Sequence, residues 1–364
     1  MRRVVTSGRA PLRAMRLVSV LLFLGLAAPS QVFAAAEAET PVLVTPGSVG
    51  SGLYRESPVT FESVSLHHHD LNINRIGPLV YSGGLVLNSD DDRFGGLSGL
   101  QLSPDGRTML AVSDKGYWVG ATLDYDERGQ LAGVRNVMIS PLLGLDGQPL
   151  NKDNKADADA EDLVEIPGSG IVVSFEGKNR LWHYGATLTD VFFGKKPHPL
   201  PLPVDVAQAI EKLPRNGAIE AMTHFSPGTL FVVAEDANKN DDLHDAWLIG
   251  LTQEAKMTYR SSDNFKPTGL SVLPNGDVLV LERRFTLMQG LATRLKRLRR
   301  EQVVENAVLE GEEIATLAFP YNIDNMEGLF VREGDYGETL IYLVSDNNYN
   351  PLQRTMLMMF RLEE

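Results

Sequence analysis

Five segments of the chain place a hydroxyl or carboxylate side chain at one recurring spot. They begin at Ser98 ("SGLQLSPDGRTMLAVSD"), Glu161 ("EDLVEIPGSGIVVSFE"), Glu220 ("EAMTHFSPGTLFVVAE"), Thr268 ("TGLSVLPNGDVLVLE") and Glu327 ("EGLFVREGDYGETLIYLVSD"). Each closes on an acid: Asp114, Glu176, Glu235, Glu282 and Asp346. Carboxylates brought together repel one another, so such a set either holds protons or surrounds a positive charge. Oxygen ligands select hard cations, and Ca²⁺ tolerates irregular ligand geometry better than Mg²⁺. On this reading the metal ligands are Glu161, Glu220, Glu327, Asp114, Asp346 and Asn347, with Asn325 and Asn348 adding neutral oxygens. The competing reading gives the acids to strand ends and to ion pairs with Arg180, Arg283, Arg284 or Lys115.

The elements that must position these residues follow from the same segments. Each runs from a short apolar strand through a Gly-containing turn into a second strand rich in Val, Leu or Ile, which is the signature of a hairpin. A third strand follows each: "GYWVGATLDYD", "NRLWHYGATL", "DAWLIGLTQ", "ATRLKRLRRE" and "RTMLMMFRLE". The basic stretch 287–300 reads as one of these strands with a solvated basic face. "VDVAQAIEKL" (204–213) is the best helix candidate and falls in a connection. Hairpin-plus-strand units recurring every ~50 to 60 residues predict an all-β fold, a β-propeller with long inter-blade loops. Six blades are expected, with five as the alternative, because residues 58–92 supply either a sixth blade or the strands that close the ring. In an antiparallel hairpin, the start of the first strand and the end of the second share one edge. Innermost first strands would therefore gather Ser98, Glu161, Glu220, Thr268 and Glu327 around the axis, with the closing acids one step further out.

The flanks and composition set the surroundings. Arg2, Arg3, Arg9, Arg13 and Arg16 precede an apolar run over 17–28 and small residues near Ala34, the pattern of a cleaved signal peptide over 1–34. The run is short for a membrane span. A Pro/Gly-rich linker is expected over 35–57 and the propeller over 58–364. The expected location is exported, periplasmic or extracellular. There is no cysteine, so an exported chain must draw its stability from packing or bound ions. Cleavage removes five arginines and no acid, moving the net charge from −13 to −18. Such acidity disfavours nucleic acid and anionic membranes as partners and leaves a small molecule or a cation.

Other motifs carry less. "GGLSGL" fails the G-x-S-x-G pattern because Leu100 stands where glycine is required. Of the histidines at 67–69, His67 and His69 share a face if the segment is a strand. "NKDNKADADAED", with Asp153, Asp157, Asp159, Glu161 and Asp162, lacks the spacing of an EF-hand loop; its first half reads as a solvated inter-blade loop, and Glu161 and Asp162 belong to the repeat. "DANKNDDLHD" (236–245) reads as a loop on the functional face.

At these residues the chain resembles the phytase-like propeller family. The matching stretches are "GGLSGL", "SDKG", "DAEDL", "IEAM", "KPTGL", "LERRF", "NMEGL" and "SDNN", in order from about Phe94 to the C-terminus. Ala221 departs from the expected glycine after Glu220. The resemblance implies a secreted propeller that hydrolyses esters or phosphoesters, and it does not by itself assign catalytic residues. On physical grounds Glu161, Glu220 or Glu327 would serve as general base, and Arg180, Arg283 or Lys115 would hold developing negative charge. A bound cation would bridge an anionic substrate to this acidic face. Two alternatives remain: a metal-dependent lactonase, and a non-catalytic periplasmic ligand-binding or scaffold propeller.

Overall fold

A computed structural model describes residues 53–363, apart from 151–153, 186, 227, 239–241 and 251–253. The signal-peptide segment and residues 35–52 of the expected linker lie outside the described residues. Arg55–Glu56, at the end of that linker, already pair with Ile139 and Met138 as an edge strand.

Each of the five repeats folds as one antiparallel sheet, and its leading residue lies at or next to the start of an innermost strand. These inner strands are Leu97–Leu102 (blade 1), Ala160–Ile166 (blade 2), Ile219–Ser226 (blade 3), Lys266–Val272 (blade 4) and Asn325–Glu333 (blade 5). Every inner strand touches the inner strands of the two neighbouring blades, closing a ring. The third strands form as expected, and the helix Val204–Glu211 lies in the connection from blade 2 to blade 3. Among the described residues, no helix is long and apolar enough to cross a membrane.

Five blades, not six, make the ring. Leu79–Asn88 pairs with the C-terminal strand Thr355–Leu362, and Thr60–Ser63 lies outside it. The segment 58–92 therefore completes blade 5 instead of founding a sixth. It lacks the polar-small-Leu start that makes an inner strand, and its apolar strand must cover what would otherwise be an open sheet edge.

The apolar residues of the strands sort into five clusters, one in each gap between neighbouring blades. Between blades 3 and 4, for example, Phe231, Tyr259 and Leu248 pack on Leu270, Val278 and Val280. Burying both faces of every sheet leaves the channel mouth and the loops as the places where polar groups gather. The strand Gly290–Leu298 departs from its expected solvated basic face. Arg294 and Lys296 are buried, 4% and 8% exposed, because Glu282 lies beside them.

Candidate functional site

The inner strands do not run straight through their leading residues. Ladder pairing skips Glu161 in blade 2, Glu220 in blade 3, Thr268 in blade 4 and Glu327 in blade 5. In blade 1 it skips Gly99, the residue after Ser98. Each skip is a β-bulge, which breaks the alternation of side chains and re-aims one of them. Small residues just after the bulge let the blades approach. A Cβ on Gly99, whose φ is +47°, would meet Leu163 N of blade 2 at 2.7 Å, and one on Gly328 would meet Gly99 C of blade 1 at 3.0 Å. Blade 2 carries Asp162 at this position. Its buried carboxylate accepts N–H bonds from Leu163 (2.8 Å) and, across the blade gap, Met222 (2.6 Å), so it ties blade 2 to blade 3.

The register also corrects the second ring. Opposite the residue before each bulge stand Phe175, Ala234, Glu282 and Ser345 in blades 2 to 5, with Ser113 in the matching place of blade 1. The next residues, one step further up, are Asp114, Glu176, Glu235, Arg283 and Asp346. Blade 4 thus contributes an arginine to this ring, not Glu282. One residue of slip sends a side chain to the opposite face. Glu282 is fully buried instead, held by Arg294 Nε (2.5 Å) and the Tyr259 hydroxyl (2.6 Å) as a structural ion pair.

The three ring glutamates do meet at the axis, and the charge around them is uneven. On one side Glu327 is well partnered. Its Oε1 accepts from Asn325 Nδ2 (2.7 Å) and lies 3.2 Å from Arg283 Nε, and its Oε2 accepts from the Ser98 hydroxyl at 3.3 Å. Arg283 also donates to Glu235 (3.0 Å), which Lys266 contacts from its other oxygen at 3.1 Å. Burial opposes the guanidinium charge, yet Glu327 and Glu235 hold Arg283 above its ordinary pKa. Burial pushes the Glu327 carboxyl upward despite Arg283.

On the other side Glu161 stands among acids, with the Arg180 guanidinium acting on its neighbour Asp159. The Glu161 pKa is pushed well up, first by burial and then by Glu220, Glu176, Asp159 and Glu327, all carboxylates. Asp159, Glu161 and Glu176 bring one oxygen each to within 4.8 Å of the others. Glu176 keeps its second oxygen on the Gly217 N–H at 2.8 Å. Glu220 lies between the two sides, raised by burial and Glu235 while Arg283 opposes. Asp346 is raised to about 9 by burial and by Glu327 and Asp114.

Several expected site residues sit elsewhere. Lys115 lies over the Tyr349 ring, 3.0 Å from its centre, and donates to the Asp92 carbonyl. Arg180 stacks on Phe175 and Trp182 and donates to the carbonyls of Lys178 and Asp157. Neither reaches the glutamates of the inner ring. Asn347 uses its oxygen to accept the N–H groups of Gly96 and Tyr349. Asp114 packs so closely on Gly96 that a Cβ there would fall 2.0 Å from Asp114 Oδ1. The histidines at 67–69 lie in a turn, where His67 Nδ1 accepts from the N–H groups of His69 and Asp70. Asp159, in the second half of that acidic stretch, is buried at 3% exposure and joins Glu161 and Glu176.

This arrangement occupies the part of the chain, residues 92–349, that matches the family model Phytase-like, described as esterase-like activity of phytase. The chain belongs to the Phytase-like family. All five bulges and both rings of the Phytase-like site lie inside that match. No curated protein matches the chain. Among solved structures it is similar to the α-L-arabinofuranosidase PaAbf62A of Podospora anserina, at 11% identity and TM-score 0.44 over 78% of this chain and 97% of that one. A protein of unknown function from Dyadobacter fermentans aligns at 14% identity and TM-score 0.42, covering 80% and 86%. The Cps50 (Swd1) β-propeller domain of Myceliophteria thermophila aligns at 9% identity and TM-score 0.36, covering 82% and 99%.

Proposed function

We propose that this Phytase-like protein is an exported hydrolase of carboxylic or phosphoric esters that works at the channel mouth with a divalent cation. The observation that carries the reading is the pairing of two unlike half-sites: three carboxylates gathered on blade 2 and a partnered glutamate, Glu327, on blade 5. The donors of the first fit a hard cation. Oxygens within 4.8 Å of one another match the ~5 Å that two oxygens span across a Ca²⁺. Glu161, pushed up first by burial and then by the carboxylates around it, gains from such an ion. Asp159, Glu161 and Glu176 would hold Ca²⁺, or less favourably Mg²⁺. When bound there, the ion supplies polarisation of an ester oxygen and a more acidic water.

The chain's own groups account for the rest. Glu327, its carboxyl pushed upward by burial, accepts a proton from the attacking water and returns it to the leaving alcohol. The Ser98 hydroxyl and the Asn325 amide fix its two oxygens. Arg283, anchored by Glu235, offers a guanidinium to the oxyanion that develops. Ser98 is only 2% exposed, which suits an orienting hydroxyl better than a nucleophile. The test is Glu327→Gln: folded and calcium-loaded, it should hydrolyse esters at least ~100-fold more slowly. A full rate in that variant removes Glu327 from the mechanism. Absence of turnover in the wild-type protein, together with saturable return of an unchanged ligand, would instead make the face a binding platform.

A further inference from the structure

The two side chains that hold Glu327 Oε1, Arg283 and Asn325, also line a cleft of about 550 Å³. Its remaining walls come from two excursions above the channel face. The blade-4 hairpin brings Phe285 and Leu291, and the loop after Asp346 brings Asn348, Asn350, Leu352 and Gln353. Phe285 and Leu352 are 66% and 89% exposed, although each forms part of a wall. At the hairpin tip beyond Phe285, Leu287 and Met288 are also exposed. Contiguous exposed apolar side chains beside a polar site mark a surface that something covers.

The charges of the cleft show what that cannot be. Arg283 is already shared between Glu327 and Glu235. Asp324 faces Arg354. The other polar lining groups are neutral amides. The adjoining pocket, which shares Asn350 and Gln353, is lined by Asp90, Asp91 and Asp92, and the cations around it are committed: Arg93 holds Asp91 and Arg354 holds Asp324. Recognition of phosphate takes uncommitted arginine or lysine donors, and each phosphomonoester brings about −1.5 to −2 charges at neutral pH. A polyphosphorylated substrate meets repulsion here and finds no free fork of donors.

We infer that the cleft binds an uncharged carboxylic ester and lays its apolar group along Phe285, Leu291 and Leu352. The ester carbonyl then sits at Asn325 and Arg283, facing Glu327. This rests on the hydrolase reading above and narrows it. The reaction consumes one water: its oxygen bonds to the carbonyl carbon, the bond from that carbon to the alcohol oxygen breaks, and the proton passes through Glu327 to the departing alkoxide. An acid and an alcohol leave, with no change of oxidation state.

The experiment compares kcat/KM of the purified protein, in calcium, on p-nitrophenyl acetate, butyrate and octanoate, with p-nitrophenyl phosphate and phytate alongside. Burial of each methylene should raise kcat/KM by ~4-fold, hence ~10-fold or more from acetate to butyrate. Phosphate release should stay far below ester cleavage. In Phe285→Asp/Leu352→Asp, both changes being at exposed positions, the ratio of butyrate to acetate should fall toward one. A flat chain-length series, or preference for either phosphate substrate, overturns the inference while leaving hydrolysis intact. If no substrate turns over, the hydrolase reading fails and the cleft is judged by binding of the amide N-(4-nitrophenyl)butyramide in saturation-transfer NMR. Binding by the wild type that is lost in the double variant supports the cleft. Binding retained there, or absent from both proteins, overturns it.

Discussion

Blades 2 and 4 occupy equivalent places in one ring, yet they solve the problem of buried charge in opposite ways. At the two site positions blade 2 presents Glu161 and Glu176, and blade 4 presents Thr268 and Arg283. Blade 4 carries its own cation and neutralises the acids of blades 3 and 5. Blade 2 adds a third acid, Asp159, to the two it already has. Equivalent strands, each with a bulge at the same point, therefore build an internal ion pair in one place and a cluster dominated by acids in another. The first rigidifies Glu327. The second is a site only when something fills it.

Reversing the charge balance on each side should have opposite effects. Arg283→Ala strands Glu327 and Glu235 beside each other without their cation, and breaking a buried pair of this kind costs about 3 kcal/mol or more. Denaturant unfolding at pH 8 should show that loss, and at pH 5 a smaller one, because protonation of Glu327, already pushed upward by burial, relieves the repulsion. Glu161→Gln should instead stabilise the protein in EDTA. Equal effects of the two variants would end the distinction between the half-sites.

Calcium should act on the blade-2 side alone. Native-state binding stabilises by about 2.7 kcal/mol when the free ion is 100-fold above its Kd, so the melting temperature should climb through a calcium titration. Glu161→Gln should abolish the climb. No rise up to millimolar calcium would remove the cation from the blade-2 reading.

A pH profile sharpens the comparison further. Asp346 keeps its proton up to about 9 in the fold, against an ordinary value of 3.8, and Glu161 and Glu220 move in the same direction. Between those limits the folded state binds more protons than the unfolded one, so stability must fall as pH rises. In EDTA the melting temperature should drop by roughly 3 °C or more from pH 5 to pH 9. Saturating calcium should reduce the slope only in part, since the ion displaces the proton of Glu161 and leaves that of Asp346. The smallest effect is expected for Ser98→Ala. Its bond to Glu327 is long, so stability should change by at most about 1 kcal/mol, with a shift in the pH–rate profile as the more telling readout.

Much of this was legible before any coordinates. The polar-small-Leu starts located all five inner strands and the three axial glutamates, because a hairpin ties its first and last residues to one edge. Blade 4 shows where such reading stops. "VLVLERRF" can be aligned to its neighbours through Glu282 or through Arg283, and composition does not choose. The bulge at Thr268 chooses, and it reverses the sign of the charge delivered to the ring. Arg180 and Lys115 were candidates on charge alone, but aromatic rings and backbone carbonyls hold them off the axis.

By itself, then, the sequence determined a repeated hairpin, its apolar gaps and the residue types at the head of each repeat. These are local properties, set by periodicity and turn chemistry within some twenty residues. Only the tertiary structure decided that the ring closes at five, that Asp159 turns inward, and that Arg283 reaches Glu327 across blades. Those outcomes depend on which strand covers an open edge and on one-residue shifts of register. Both are settled by packing between segments far apart in the chain, where no short stretch of sequence carries the information.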